Sequence, residues 1–426
     1  MLNSPTPVSK PRAELEYSSA FLLVCAAFWV LAGTMSYLWG SSLAAGLIMI
    51  FLAIVFGISS IARSTKPQAA AEEPASDPPP TGLRRMWFIL AGLILLHGVV
   101  AIVICRHWLP LIDTYTFQRE ACKNLLRGID PFGATQADIY GPRYDFYGPG
   151  MVVDGRVQVG FQYPPLTLFW ALPGYLLGDV RYSYILAVMI SAVLLFAMVP
   201  NSRSLRIAAL LLLNPLTFFV EIMSWTEPLV LLTLSATLYA AIKTRWWLPI
   251  ALGLFLASKQ YNVLALPFLA GLVQPLQWKS FAKLLSRAVL VAAATVLPFA
   301  LWNFRGLWRD VVLFHLAQPF RPQSLSFAVP YPIFLFLKIG PVLLLIFIVW
   351  ATMKRTRNPA MFAAGYGVSL LLLFSTSKQA FCNYYFLIAQ AFLLAVAALP
   401  NLSLRPRAPT IAKGFASTSR ESTSHI

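Results

Sequence analysis

Charge is what this sequence has least of: 12% of its 426 residues are Asp, Glu, Lys or Arg, against about 25% in an average soluble domain. So little charge cannot solvate a globule of this length, and a water-soluble fold is excluded. Acidic residues are the scarcer sign, 16 against 33 basic ones. The four histidines, His97, His107, His315 and His425, are scattered, and the four cysteines show no metal spacing. With no HExxH and no glycine fingerprint for a dinucleotide or a nucleoside triphosphate, zinc chemistry and nucleotide hydrolysis are not expected, nor is a metal or a cofactor. Cys25 and Cys105 lie in apolar runs, whereas Cys122 and Cys382 fall on one outer side, where free thiols are expected over a disulfide.

What is present is apolar: 58% hydrophobic residues and a mean hydropathy of +0.69. Runs of membrane-spanning length recur, such as Ser19–Leu38 and Met86–Cys105, and the expected class is an all-α polytopic membrane protein of about twelve transmembrane helices. The spans are placed near 19–39, 41–62, 87–107, 183–200, 207–222, 227–242, 247–258, 262–276, 288–302, 333–352, 359–375 and 385–399. The first is read as a retained helix rather than a cleaved signal. Residues 1–65 form a two-helix appendage, 66–82 a flexible cytoplasmic linker rich in Ala, Pro and acid, 83–400 the main membrane module and 401–426 a disordered cytoplasmic tail.

The net charge of +17 does not point to nucleic acid, because the basic residues fall in short runs between apolar segments. With both termini inside, Arg84, Arg85, Arg203, Arg206, Lys243, Arg245, Lys279, Lys283, Arg287, Lys354, Arg355 and Arg357 become cytoplasmic. The Pro-rich stretch Tyr163–Gly178 would reverse every later loop if it crossed, so it is expected to be re-entrant or to lie along the outer interface.

Residues 107–160 form a large extracytoplasmic loop. Within it Asp113–Arg127 has an amphipathic pattern that stops at Gly128, Asp130-Pro131 marks a turn, and Asp154-Gly155 between alternating apolar residues marks a two-residue hairpin. The outer helix ends carry Asp113, Glu120, Glu221, Glu227, Lys259, Gln260, Lys378, Gln379 and Asn383. A carboxylate held at a membrane boundary is poised as a base, although Asp113 also suits the cap of the helix that follows it. Two Ser-Lys-Gln triplets, Ser258-Lys259-Gln260 and Ser377-Lys378-Gln379, each followed by Tyr and Asn, suggest two cationic donors over one anion, although lysines at an interface also serve as anchors. Glu221 and Glu227 flank Trp225 and suit sugar hydroxyls or a cation. Tyr140, Tyr144, Tyr147 and Tyr163 offer ring faces for stacking on sugars.

Taken in order, Asp113 through Leu126-Arg127-Gly128-Ile129-Asp130-Pro131-Phe132, Phe161-Gln162-Tyr163-Pro164-Pro165, Asn214-Pro215-Leu216, Trp225-Thr226-Glu227-Pro228 and the two triplets resemble multi-pass glycosyltransferases of the C-type fold, and within them glycosyltransferase family 87. The resemblance covers about Leu83 to Pro400. It implies inverting transfer of a hexose, expected to be mannose, from a polyprenyl-phosphate donor to a glycan or glycolipid acceptor at the outer face of the plasma membrane. It implies Asp113 as base, Lys259 and Lys378 as donor-phosphate ligands with Arg119 and Arg143 as further candidates, and substrate contacts from Glu120, Tyr163, Glu221, Glu227, Gln260, Gln379, Asn383 and Tyr384. The acidic pair of some related transferases is missing, since Thr114 and Tyr115 follow Asp113, so metal dependence is not expected. The alternative is a transporter or flippase for a lipid-linked or anionic solute, which would place ionisable residues at the midplane; Lys338 is the one expected near a helix centre.

Overall fold

The computed structural model describes residues 12–38, 40, 42–63, 80–141, 144, 146–273, 276–353 and 357–399. Arg143, most of the expected linker and the expected tail lie outside the described residues. Among the described residues the fold is helical apart from one small sheet. The helices are α1 (Arg12–Leu38), α2 (Leu43–Arg63), α3 (Pro80–His107), α4 (Asp113–Leu126), α5 (Pro165–Leu176), α6 (Arg181–Met198), α7 (Ser202–Leu213) and α8 (Pro215–Ile222). There follow α9 (Glu227–Lys243), α10 (Leu248–Ser258), α11 (Trp278–Trp308), α12 (Phe314–Ala317), α13 (Ile333–Phe336), α14 (Ile339–Met353), α15 (Pro359–Phe374) and α16 (Cys382–Ala397). All four cysteines are free.

Not all of the twelve expected spans correspond to helices of spanning length. Among the described residues five stretches, Ser19–Leu38, Leu43–Arg63, Thr81–His107, Arg181–Met198 and Trp278–Ala317, are long and apolar enough to cross a membrane, or six if the bent pair α7 and α8 is one span. The remaining apolar helices are shorter, and at 1.5 Å per residue an 11-residue helix such as α10 is only about 16 Å long, half the hydrocarbon thickness of a bilayer. Three expected helices are broken. The run 207–222 bends by 48° between α7 and α8, because Pro215 has no N–H to give Leu211 and its ring crowds that carbonyl. The freed carbonyls are satisfied from the side: Thr217 donates to Leu211 O at 2.7 Å, and His97 Nδ1 lies 2.6 Å from Leu212 O. The expected span 262–276 is instead a 3-10 helix over Gln260–Gly271. The third is split between α13 and α14, and Lys338, expected near its centre, sits exposed at the break with φ +50°.

The expected appendage shares the main core. Leu23, Ala26, Val30, Leu47, Ile50 and Ala53 belong to one buried cluster with α15 and α16, and Gly57 is so close to Val368 and Phe392 that a Cβ would stand 3.1 Å and 3.4 Å from them. Small residues permit such approaches where lipid supplies no hydrophobic drive. At Gly253, where α10 meets α11, an added Cβ would lie 2.5 Å from Ala288 O.

The described residues of 108–164 cap one end of the bundle. The hairpin read at Asp154-Gly155 is present: β2 (Val152–Val153) pairs with β3 (Arg156–Val157), with Val153 opposite Arg156, and both turn residues have positive φ, as a tight two-residue turn demands. Strand β1 (Gln136–Ala137) joins the other edge of β3. Val157 and Val159 pack with Phe117 of α4, Tyr147 and Phe314 of α12. A second clamp fixes the loop to the end of α11: Asp310, fully buried, accepts the backbone N–H groups of Gly133 at 2.8 Å and Gly160 at 2.9 Å. Asp130 makes the turn expected of it by accepting Phe132 N at 2.9 Å, and it also accepts Asn303 Nδ2 at 2.6 Å. The stretch 163–178 is the short helix α5, which packs against α4, α6, α10 and α11.

Candidate functional site

The chain is a multi-pass helical membrane protein with a polar cavity of about 250 Å³ at the capped end of its bundle. The cavity is reached by chain segments far apart in sequence: the start of α4, the loop before α5, the turn before α9, the C-terminal end of α10, the loop after α12 and the start of α16. Its wall includes Asp113, Tyr140, Tyr163, Lys259, Gln379, Asn383 and Tyr384, all singled out from sequence.

Asp113 is the first residue of α4, with Ile112 in the capping position. Its Oδ1 accepts the N–H of Thr114 at 2.7 Å, and its own N–H donates to the Tyr140 hydroxyl at 3.1 Å. Burial raises the Asp113 pKa above the ordinary carboxylate value, opposed by the Thr114 N–H, the Arg321 charge and the hydroxyls of Tyr147 and Tyr140. A carboxylate held so, partly desolvated yet with a fixed oxygen, has raised basicity.

Lys259 follows the end of α10 in an extended conformation. Its ammonium is buried, 3.1 Å from Glu227 Oε1, and it donates to the Thr226 hydroxyl. It lies 4.4 Å from the centroid of the Tyr163 ring and 5.8 Å from that of Tyr261. Burial lowers the Lys259 pKa, while the Glu227 carboxylate beside it works the other way. Glu227 also accepts from the Tyr261 hydroxyl at 3.0 Å, so it holds the lysine rather than lining the cavity.

The second triplet does different work. Lys378 Nζ donates to the carbonyls of Leu316 at 2.7 Å and Gln318 at 2.5 Å, and Gln379 Nε2 donates to Gln318 Oε1 at 2.7 Å and to Pro319 O at 3.0 Å. Both fasten the loop after α12, and Lys378 O accepts the N–H of Arg321 at 3.0 Å. Arg321 thereby becomes the cavity's second cation, its guanidinium 3.9 Å over the Phe146 ring. Sequence reading missed it; the only signal was a lone Arg between Pro319 and Pro322 in an outer loop. His315, also on the wall, donates from Nε2 to Gln162 O at 2.8 Å, and burial, with Lys259 and Lys378 nearby, brings its pKa down to about 4.

Other expected residues stand elsewhere. Arg119 is half exposed, 3.7 Å from Glu120, which also pairs with Lys123 at 3.0 Å; neither lines the cavity. Gln260 ties Gln162 O to Val311 O. Glu221 is not in an outer loop but fully buried against His97 Nε2 at 2.9 Å. Since Leu212 O can only accept, His97 Nδ1 carries a proton and Nε2 faces the carboxyl group, so this pair completes the repair of the helix break. Among the described residues no three His, Cys, Asp or Glu side chains are grouped to hold a metal ion.

No protein-family model matches the chain, and no curated protein does. Among solved structures, ArnT from Cupriavidus metallidurans bound to undecaprenyl phosphate is similar over 72% of this chain and 60% of that chain, with 20% identity and a TM-score of 0.44. The apo state of ArnT gives 72% and 59%, with 17% identity and a TM-score of 0.45. The chain thus spans about three-fifths of the length of those structures.

Proposed function

We propose that the cavity transfers a hexose, mannose in our reading, from a polyprenyl-phosphate donor to a hydroxyl of a glycan or glycolipid acceptor. The observation that carries this is the meeting of one carboxylate, Asp113, with two cations, Lys259 and Arg321, on the wall of one cavity at a bundle end. Asp113 takes the proton of the acceptor hydroxyl. The acceptor's hydroxyl oxygen attacks the anomeric carbon from the side away from the phosphate, the carbon–oxygen bond to the phosphate breaks, and configuration inverts. Polyprenyl phosphate departs with the bonding electron pair, and the added charge is met by Lys259 and Arg321, groups already in place before the reaction. Tyr163, Asn383 and Tyr384 border the same space and offer ring faces and hydrogen bonds to the sugar.

The cavity end faces outward in this reading, because Arg84, Arg206, Lys243 and Arg287 all lie toward the opposite ends of their helices. Cysteine labelling in intact cells should reach position 154 from outside and position 206 only after permeabilisation; the reverse would overturn the orientation. For the reaction itself, purified protein in vesicles is given a panel of polyprenyl-phosphate sugars and acceptor glycolipids, and products are identified by mass. A glycosylated acceptor formed by the wild type and not by Asp113→Asn is expected. Lipid-linked sugar moved across the bilayer without product would indicate the transporter instead.

A further inference from the structure

A second cavity of about 290 Å³ lies at the other end of α10, bounded by α11 and the end of the 3-10 helix. We infer that it binds the phosphate headgroup of an anionic phospholipid.

Its wall carries Arg245, Lys283 and Arg287 together with Gln277 and Ser280, and none of its lining residues is acidic. The sequence reinforces this: between Glu227 and Asp310 there is no Asp or Glu at all. Three cations gathered around one concavity repel each other, and an anion placed among them relieves that repulsion. Arginine and lysine donors with a neighbouring hydroxyl and amide suit phosphate oxygens.

The floor is apolar. Leu248, Leu272 and Leu284 are buried beneath the cations, a pairing of charge above hydrocarbon that fits a glycerophospholipid and gives no advantage to a free inorganic ion. Depth in the membrane is marked by three exposed tryptophans beside the cavity, Trp246, Trp247 and Trp278, exposed by 71%, 45% and 77%. Tryptophan exposed in a membrane protein settles at headgroup level, which puts the cations where lipid phosphates are. Arg84 and Arg85 on α3, a basic run at this end of another helix, are not among the residues that line it. A basic pocket between helices on this side is the kind of feature that selects anionic headgroups rather than merely meeting them.

The test uses the full chain in nanodiscs of phosphatidylcholine alone, or with one part phosphatidylglycerol to four of phosphatidylcholine, and reads the thermal midpoint. The wild type should gain stability with phosphatidylglycerol. Lys283→Gln with Arg287→Gln should lose half or more of that gain, whereas Arg84→Gln with Arg85→Gln, the same charge removed from the same side, should keep it. Ser280→Trp, which fills the cavity and leaves every charge in place, should also lose it, and it decides the matter if the double variant does not fold. Equal losses in the two double variants, a full gain in Ser280→Trp, or no gain in the wild type would each overturn the assignment. So would an equal gain from inorganic phosphate added to phosphatidylcholine nanodiscs, which would make the occupant a soluble anion.

Discussion

Lys259 Nζ and Glu227 Oε1 lie 3.1 Å apart, with side-chain exposures of 6% and 0%. Each is the other's condition for being charged in the bundle, because an isolated buried ion costs several kcal/mol. Lys259→Ala should therefore destabilise the protein by on the order of 3–5 kcal/mol as well as abolish donor use. Lys259→Met combined with Glu227→Leu should recover most of the stability and none of the activity. Comparing thermal melts with donor turnover separates the two roles, and a double variant as unstable as the single one would refute the pairing account.

Asp113→Asn should lower turnover by about 10²–10⁴ fold, the usual worth of a positioned base. Stability should move the other way. Burial raises the Asp113 pKa, so the folded protein binds this proton more tightly than the unfolded chain does. Its ionisation then costs stability as pH rises from the unfolded value through the folded one, and the penalty persists above it. At neutral pH the Asn variant should melt no lower than the wild type. The acid limb of kcat/KM in the wild type should lie above the ordinary carboxylate pKa of 3.8, with activity lost as pH falls through it.

Arg321 and Lys378 should separate cleanly in kinetics. Arg321→Gln removes a charge facing the cavity, and a lost charge-assisted contact of about 1.5–3 kcal/mol raises donor KM about tenfold or more. Lys378→Met instead strips two loop carbonyls of their donor, a loss of about 1–3 kcal/mol seen in the thermal midpoint. A Lys378 variant with normal stability and a large KM effect would return that lysine to the role of phosphate ligand.

Asp310→Ala leaves the N–H groups of Gly133 and Gly160 without an acceptor, at about 1–3 kcal/mol each. The cap over the cavity should loosen, visible as faster hydrogen exchange at 128–160, while α1, α2, α15 and α16 exchange as before. Uniform loss of protection through the bundle would show that the cap and the bundle unfold as one unit.

Local pattern carried much of this structure. The helices α2, α3, α6 and α9 follow from apolar runs, the start of α4 from Asp113 and its stop from Gly128, and the hairpin from Asp154-Gly155. The meeting of Asp113 with Lys259 required only that both be assigned to one end of the bundle. What local pattern did not carry is pairing across long separations: Asp310 holding Gly133, or Lys378 holding the loop that presents Arg321. Nor does periodicity tell a 3-10 helix from an α-helix in an apolar stretch, because hydrophobicity in a membrane chain surrounds the helix and leaves no face to count. The two Ser-Lys-Gln triplets look alike in sequence, and only the presence of Glu227 beside one and bare carbonyls beside the other gives them separate tasks.

The 3-10 segment Gln260–Gly271 has three residues per turn and rises about 2 Å per residue, so its twelve residues reach about 24 Å where an α-helix would reach 18 Å. It behaves as a spacer of fixed pitch between the end of the molecule that holds the Asp113 cavity and its basic end. Inserting or deleting one residue there would rotate everything beyond by a third of a turn, swinging Asn262 away from its bond with Tyr366. Homologous chains should vary this segment in side chains and scarcely ever in length.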